Sequence, residues 1–334
     1  MKLPKVSIII PTLNSAKVLS SCLRSIARQN YPKSQIKIII ADGNSTDNTL
    51  KIAKKYNCHI INNPLKTGEA GKAIALKQAT GRFVVLIDSD NILPDKFWLK
   101  QMIKPLLSHS RAIGSEPWAF TYRPRAGFIE RYSALIGAND PYTFVSGISD
   151  RLNHLDGRWT HLPIKQTDYK NYLLLKLDPQ QNLPTIGANG TVFKTSFLQK
   201  QKIGNYLFDI DILASVKKPF FFIKTKNSIV HTFCEASIKK FVTKQRRRLI
   251  DYYHYLPHRH YPWQQNQIKN NLKFIFHTIF LSPFFVLYGF CKKPDPAWFF
   301  HPLACWLTFY LYAYITLKQR LGLLKSLNRN QWQQ

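Results

Sequence analysis

Asp88 and Asp90 stand one residue apart, around Ser89, directly after the apolar run Phe83–Ile87. Gly81 before the run and Asn91 and Pro94 after it bound a short strand. An unbroken apolar run of this length suits a central strand covered on both faces. The two carboxylates then emerge at the carboxyl edge of a sheet, where open α/β sheets bind ligands. In that position they suit a hard divalent cation that completes its shell with phosphate oxygens and water. Taken alone the tripeptide is equally a polar turn with two solvated acids, because such tripeptides are common. Its surroundings decide between the two.

Upstream, strand and helix patterns alternate. Val6–Ile10 is a buried-strand run closed by Pro11-Thr12-Leu13-Asn14. From Ser15 to Gln29, residues Val18, Leu19, Cys22, Leu23, Ile26 and Ala27 share one helical face, and Tyr31-Pro32 stops the helix. Ile36–Ile40 is a second strand ending in Ala41-Asp42-Gly43-Asn44, and Ser45 or Thr46 is expected to cap a short helix through Tyr56. Cys58–Ile61 is a smaller strand, and Gly68–Ala79 a helix that carries Lys72. This alternation predicts an α/β, Rossmann-like, mostly parallel sheet flanked by helices. The first strand is not followed by G-x-G-x-x-G, which argues against a dinucleotide cofactor.

Four segments in this order resemble the nucleotide-binding half of family 2 glycosyltransferases with the GT-A fold: V-S-I-I-I-P-T-L-N (6–14), I-I-I-A-D-G-N-S-T-D-N-T (38–49), G-E-A-G-K-A-I-A-L-K-Q-A-T-G (68–81) and F-V-V-L-I-D-S-D (83–90). The resemblance implies a nucleoside diphosphate sugar, UDP- or GDP-linked, as donor. It places Asp42 on the base or ribose, with Pro11, Thr12 and Asn14 lining the same pocket. Lys72 would face the phosphates or the base edge, although a solvated helix lysine is the plain alternative. Asp88 and Ser89 would touch ribose or metal-bound water, and Asp90 would hold Mg2+ or Mn2+ against the diphosphate. Such a cation neutralises the leaving group.

The following half is expected to take the acceptor. Asp95–Leu107 is an amphipathic helix; residues 112–180 are less regular and rich in aromatics, which serve equally as core or as sugar platforms. Leu183–Gly190 reads as a strand and glycine-rich turn. The resemblance makes Asp209 the catalytic base, with Phe208 where the family carries an acid; Asp211 competes, and is otherwise a helix-start acid favoured by the dipole. Ser228–His231 is a short strand whose histidine either contacts metal or diphosphate or simply packs. Gln245 and Arg248 resemble the Q-x-x-R-W motif of processive members, but Leu249 replaces the tryptophan, against a long-polymer synthase. The arginines grip diphosphate or face anionic lipid.

Two apolar runs follow, Phe274–Phe290 and Ala297–Leu317, each close to the length that spans a bilayer. The organisation expected is a glycosyltransferase domain over 1–235 (donor half 1–94, acceptor half 95–235), a basic amphipathic helical linker over 236–272, two hydrophobic membrane helices within 273–318, and a basic tail over 319–334 with Lys318, Arg320, Lys325 and Arg329 beside it or in it. An interfacial hairpin bent at Pro283 and Pro302, and a soluble helical subdomain, are the alternatives. A chain ending near Lys269 is expected to be soluble and to bind nucleotide.

The composition fits this reading. Forty-eight Lys and Arg against 18 Asp and Glu give a net charge of +30, which attracts polyanions: anionic lipid, phosphorylated substrates or nucleic acid. A nucleic-acid-binding protein has no need of the apolar tail, and a nucleotidyltransferase would carry a basic glycine-rich loop where Pro11–Asn14 stands. Five scattered cysteines without C-x-x-C argue for reduced thiols and against a zinc site. Met1–Lys5 leads into the first strand without a signal-peptide pattern. The expected activity is inverting transfer of one sugar to a lipid-linked acceptor at the cytoplasmic membrane face, with a polyprenyl-phosphate nucleophile as the alternative.

Overall fold

The computed structural model describes residues 3–256 and 267–325. Part of the linker and most of the basic tail, including Arg329, lie outside the described residues. The chain divides into two compact units that do not follow chain order: residues 1–121, 163–179 and 186–232 form the first, and residues 122–162, 180–185 and 233–334 the second.

The first unit holds the whole sheet. Its elements are β1 (Val6–Thr12), α1 (Ala16–Ala27), β2 (Ile36–Asp42), α2 (Thr49–Lys55), β3 (His59–Asn62), α3 (Gly68–Leu76), β4 (Phe83–Leu86), β5 (Asn91–Ile92), α4 (Trp98–Ser108) and β6 (Ala112–Phe120). After α5 (Phe128–Ile136) and α6 (Pro141–Ser146) of the second unit come β7 (Lys165–Tyr169), β8 (Tyr172–Leu177), β9 (Thr191–Lys194), α7 (Thr195–Leu198), α8 (Asp209–Ala214) and β10 (Phe220–His231). The strand order is β3-β2-β1-β4-β9-β6-β10-β8-β7, with β5 paired to the end of β10. Strands β3, β2, β1 and β4 are parallel, as the alternating pattern predicts. Beyond β4 the sheet is mixed, since β9 runs antiparallel to both β4 and β6 while β6 and β10 are parallel. Val6, Ile8–Ile10, Ile39, Ile40 and Phe83–Leu86 are fully buried, which is why these strands read as continuous apolar runs.

Three local expectations change. Helix α2 starts at Thr49 after Asn48, not after Ser45 or Thr46, because those two residues are engaged by Asp42 and Asn14. Residues 183–190 are not a strand: the strand begins at Thr191, and Gly190 turns into it with φ 82° while its amide donates to the Leu86 carbonyl. Ile229 and Trp98 leave no room for a Cβ at Gly190. Residues 228–231 are not a separate strand but the last turnings of the twelve-residue β10.

The second unit is helical: α5, α6, α9 (Ile238–Tyr255), α10 (Gln267–Phe276), α11 (Ser282–Lys292) and α12 (Phe300–Arg320). A π-helical turn, His277–Leu281, joins α10 to α11 into one helix over Gln267–Lys292. Among the described residues this is the one helix long and apolar enough to cross a membrane. One face of these helices is core: Phe274, Val286, Trp298, Phe300 and Cys305 pack with Ile129, Tyr132, Leu135 and Phe241. The other is bare, with Phe276, Phe280, Phe284 and Leu287 between 55 and 69% exposed. The C-terminal helices therefore build the core of the second unit, and a chain ending near Lys269 would remove Phe274, Val286, Trp298, Phe300 and Cys305 from it.

Candidate active site

Strand β1 ends in Pro11-Thr12, and strand β2 ends in Asp42 beside it, because the two run in register with Thr12 opposite Asp42. Thr12 Oγ1 donates to Asp42 Oδ1 at 2.8 Å, Ser45 Oγ donates to the same oxygen at 2.6 Å, and the Ser45 amide donates to Oδ2 at 2.7 Å. Asp42 is thus buried and fully engaged, shaping the loop after β2. Asn14 holds the same loop from the other strand. It sits at φ 48°, a left-handed conformation that asparagine tolerates, and its Oδ1 accepts the Thr46 amide at 2.8 Å. Close packing of α3 on these strand ends needs glycine at position 71, where a Cβ would lie 2.9 Å from Pro11 Cβ and 3.2 Å from Ala41 Cβ.

The acidic tripeptide follows β4. Asn91 closes it into a turn: its side chain accepts the Asp88 amide at 3.1 Å and its amide donates to the Asp88 carbonyl at 2.9 Å. Asn91 Nδ2 in turn donates to Asn189 at 2.9 Å. Ser89 Oγ donates to Ser15 Oγ at 3.1 Å. Residue His231 reaches Asp90 because β5 pairs with β10, Asn91 lying opposite His231. Its Nε2 is 3.5 Å from Asp90 Oδ2, and the backbone carbonyl of Asp90 accepts both the amide and the hydroxyl of Thr232.

Lys72 does not point into solvent. Thr67 caps α3 by accepting the Ala70 amide, and the helix carries Lys72 into the interior, where its Nζ donates to Asp209 Oδ2 at 2.8 Å. Asp209 opens α8 after Phe208, and its Oδ1 is buried without a hydrogen-bond partner among the described residues. Burial pushes the Asp209 carboxyl above the usual range, against the pull of Lys72. Burial alone would lower the Lys72 ammonium, but Asp209, Glu69 and Asp88 reverse this and hold it above its ordinary value. The Asp88 carboxyl is raised chiefly by burial; Lys72 and His231 pull it down, while Asp90 and Asp209 push it up. These five groups therefore lie within electrostatic reach of one another at the carboxyl edge of the first unit. Burying like-charged carboxylates at Asp88 and Asp90 is unfavourable unless positive charge joins them, and with His231 beside Asp90 the donor set fits a divalent cation.

Most of the residues brought together here are ones the sequence singled out, but their partners were not legible in it. Lys72 and Asp209 are 137 positions apart, and nothing in either segment announces the pair. Ser15, Ser45, Asn91 and Asn189 were not read as parts of the site because they act by fixing backbone, a role that short polar residues fill in any loop. Gln245 and Arg248 belong to the second unit. Gln245 is buried and donates to the Asn139 carbonyl at 3.0 Å; Arg248 lies 3.9 Å from Asp140 Oδ2 and over the Phe233 ring. Asp211 sits in the first turn of α8.

Residues 7–159 match the model of Glycosyl transferase family 2. The poly(ribitol-phosphate) beta-N-acetylglucosaminyltransferase TarS of Staphylococcus aureus is 40% identical over 95 residues, 27% of this chain and 17% of that protein. A dolichyl N-acetyl-alpha-D-glucosaminyl phosphate 3-beta-D-2,3-diacetamido-2,3-dideoxy-beta-D-glucuronosyltransferase of Methanococcus voltae is 26% identical over 246 residues, 71% of this chain and 69% of that protein. The chain thus spans less than a fifth of the first relative and about two thirds of the second. The mannosyltransferase PcManGT from Pyrobaculum calidifontis, solved in complex with GDP-Man and Mn2+, shares the GT-A-like fold: the TM-score is 0.56 at 15% identity, over 96% of this chain and 88% of that one.

Proposed function

We propose that the protein transfers a single sugar from a UDP- or GDP-sugar to a lipid-linked acceptor hydroxyl at the cytoplasmic face of a membrane, with inversion and with Mg2+ or Mn2+. The observation that carries this is the cluster of Asp88, Asp90, His231, Lys72 and Asp209 at one sheet edge, with a buried Asp209 oxygen left unpartnered. Thr12, Asn14 and Asp42 shape the pocket for the nucleoside end of the donor. Asp90, with Asp88 and His231, would hold the cation, which neutralises the departing diphosphate. Asp209 Oδ1 accepts the acceptor's proton as its oxygen attacks the anomeric carbon; the bond to the diphosphate breaks on the opposite face. Lys72 keeps Asp209 ionised and oriented. Gln245 and Arg248, the remaining donor-binding candidates, lie in the second unit.

The acceptor class rests on two supports. The names of the two relatives specify beta transfer onto a polymer or a dolichyl phosphate sugar. The exposed phenylalanines and leucines of α10 and α11, together with Lys318, Arg320 and Lys325, suit an anionic membrane surface. The Lys72–Asp209 pair also keeps the phosphate-nucleophile reading in play, since an ionised phosphate needs no base.

Full-length protein in detergent, given a panel of UDP- and GDP-sugars with polyprenyl-linked sugars or polyprenyl phosphate, tests the reading by release of nucleoside diphosphate. Asp209→Asn is expected to cut transfer by at least about a hundredfold. Release with no donor, with the protein folded, would overturn the proposal. Normal transfer by both Asp209→Asn and Asp211→Asn would assign a phosphate acceptor instead.

A further inference from the structure

The second unit contains a group of ligand-type side chains that the transfer reaction does not use. His277 opens the π-helical turn, and His301 and Cys305 lie one turn apart on α12. All three are buried, at 5, 0 and 0% exposure. The two Nε2 atoms are 2.8 Å apart, Cys305 Sγ is 3.6 Å from His301 Nε2, and the three atoms all lie within 4.8 Å of one another. We propose that His277, His301 and Cys305 bind one zinc ion, which fastens the π turn between α10 and α11 to α12.

Three features support a built site over chance proximity. The first is distance. Zinc ligated at about 2.0–2.1 Å by nitrogen and about 2.3 Å by sulfur imposes an S···N separation of about 3.6 Å in a tetrahedron, the separation already present between Cys305 and His301. The two nitrogens need about 3.3 Å, so the His277 ring must draw back by about half an ångström from its present contact.

The second feature is the surrounding hydrogen bonding. Tyr132 Oη lies 2.7 Å from His301 Nδ1, the outer contact that commonly fixes a ligating imidazole and leaves Nε2 for the metal. Phe285 stacks on the His301 ring at 5.2 Å and shields it from water. The fourth position is left to a water.

The third is the backbone. π-helical turns are rare and recur at functional sites, and this one begins at the ligand His277. Without metal, a single N–H proton must join the two Nε2 atoms. On binding, that proton is replaced and the His277 ring carries its proton on Nδ1; the Cys305 thiol proton leaves to solvent, and two Zn–N bonds and one Zn–S bond form. The mixed histidine and thiolate set is one that zinc accepts. No C-x-x-C spacing is needed because the ligands come from two helices, so the scattered cysteines of the sequence do not exclude the site.

The test uses full-length protein in detergent, exchanged into metal-free buffer after expression with added zinc sulfate. Elemental analysis is expected to find one zinc per chain. Replacement by Co2+ is expected to give thiolate-to-cobalt charge-transfer absorption. Cys305→Ala and His277→Gln should each lose the zinc, and Cys305→Ala the absorption, while Asp90→Ala keeps both. Chelation should lower the unfolding midpoint of the wild-type protein but not of Cys305→Ala, a readout that remains if a variant is less stable. Wild-type protein that holds no zinc and gives no thiolate absorption with Co2+ overturns the proposal. Zinc that persists in Cys305→Ala and is lost in Asp90→Ala also overturns it, by assigning the ion to the donor pocket.

Discussion

Lys72→Met isolates the buried pair on which the proposed base depends. Both side chains are almost wholly removed from water, at 6 and 10% exposure, and their atoms meet at 2.8 Å. Removing one member of a buried pair leaves the other charge uncompensated, at a cost of about 3–5 kcal/mol. Measured against the roughly 5–15 kcal/mol of a typical domain, the variant stays folded but weakened. With each kcal/mol worth about 2–4 °C in a unit of this size, the unfolding midpoint falls by about 6–20 °C. Replacing both members, as Lys72→Met/Asp209→Leu, removes the stranded charge, and most of that loss is expected to return. The same logic fixes the sign of the pH effect. Lys72 is the strongest influence lowering the Asp209 carboxyl, which burial already raises. Without Lys72 the carboxyl stays protonated to higher pH. A base works only when deprotonated, so the acid limb of the transfer profile moves to higher pH in Lys72→Met. The assays are thermal unfolding and pH-dependent release of nucleoside diphosphate in saturating donor. An unchanged midpoint with an unmoved acid limb would refute the coupling, and an acid limb moved to lower pH would refute its sign.

Excess chelator, or Asp90→Ala, is expected to remove most turnover, with Mg2+ or Mn2+ restoring the chelated wild type; full activity in chelator would defeat the cation reading. Gly81→Ala places a Cβ 2.6–2.8 Å from backbone atoms of Val6 and Ser7, which cannot yield, so it should cost near the top of about 1–3 kcal/mol in a denaturant titration; a neutral result would contradict the packing of β4 against β1. Phe284→Gln with Leu287→Gln, both on the bare face of α11, should leave the unfolding midpoint almost unchanged while weakening co-sedimentation with anionic vesicles. Undiminished vesicle binding would move the membrane contact elsewhere. A chain ended at Lys269 should lose the cooperative unfolding of the second unit while that of the first remains, because Phe274, Trp298 and Phe300 belong to the same core as Tyr132 and Phe241.

How much of this was legible depended on the range of the interactions involved. The strands β1, β2 and β4 announce themselves through consecutive apolar residues, a local property, and the parallel order follows from alternation with helices. Asp88 and Asp90 were legible for the same reason, since a strand end fixes where they emerge. The mixed half of the sheet was not, because β9 pairs with β4 across more than a hundred residues and is preceded by Pro184 and two glycines that mask any strand pattern. The Lys72–Asp209 pair, the delivery of His231 by β5, and the meeting of His277 with His301 and Cys305 are all products of tertiary packing. Each residue alone reads as a solvated helix charge or a packing imidazole.

The C-terminal apolar runs show why composition alone does not assign a role. A membrane helix and a core helix are both apolar, and periodicity does not separate them when both faces are. In this chain a buried and a bare face belong to the same helices. Phe274, Val286 and Cys305 face the protein interior, whereas Phe280, Phe284 and Leu287 are exposed. If the exposed face lies in lipid, the membrane is continuous with the core of the second unit and is not a mooring attached by a linker. Gln245, Arg248 and Asp140 stand in that same unit, with Gln245 bound to Asn139 and Arg248 near Asp140. Gln245 and Arg248 stand on α9, which packs against α12 of the same unit. A lipid-linked acceptor requires such an arrangement, because its reacting sugar cannot travel far from the surface that holds its tail.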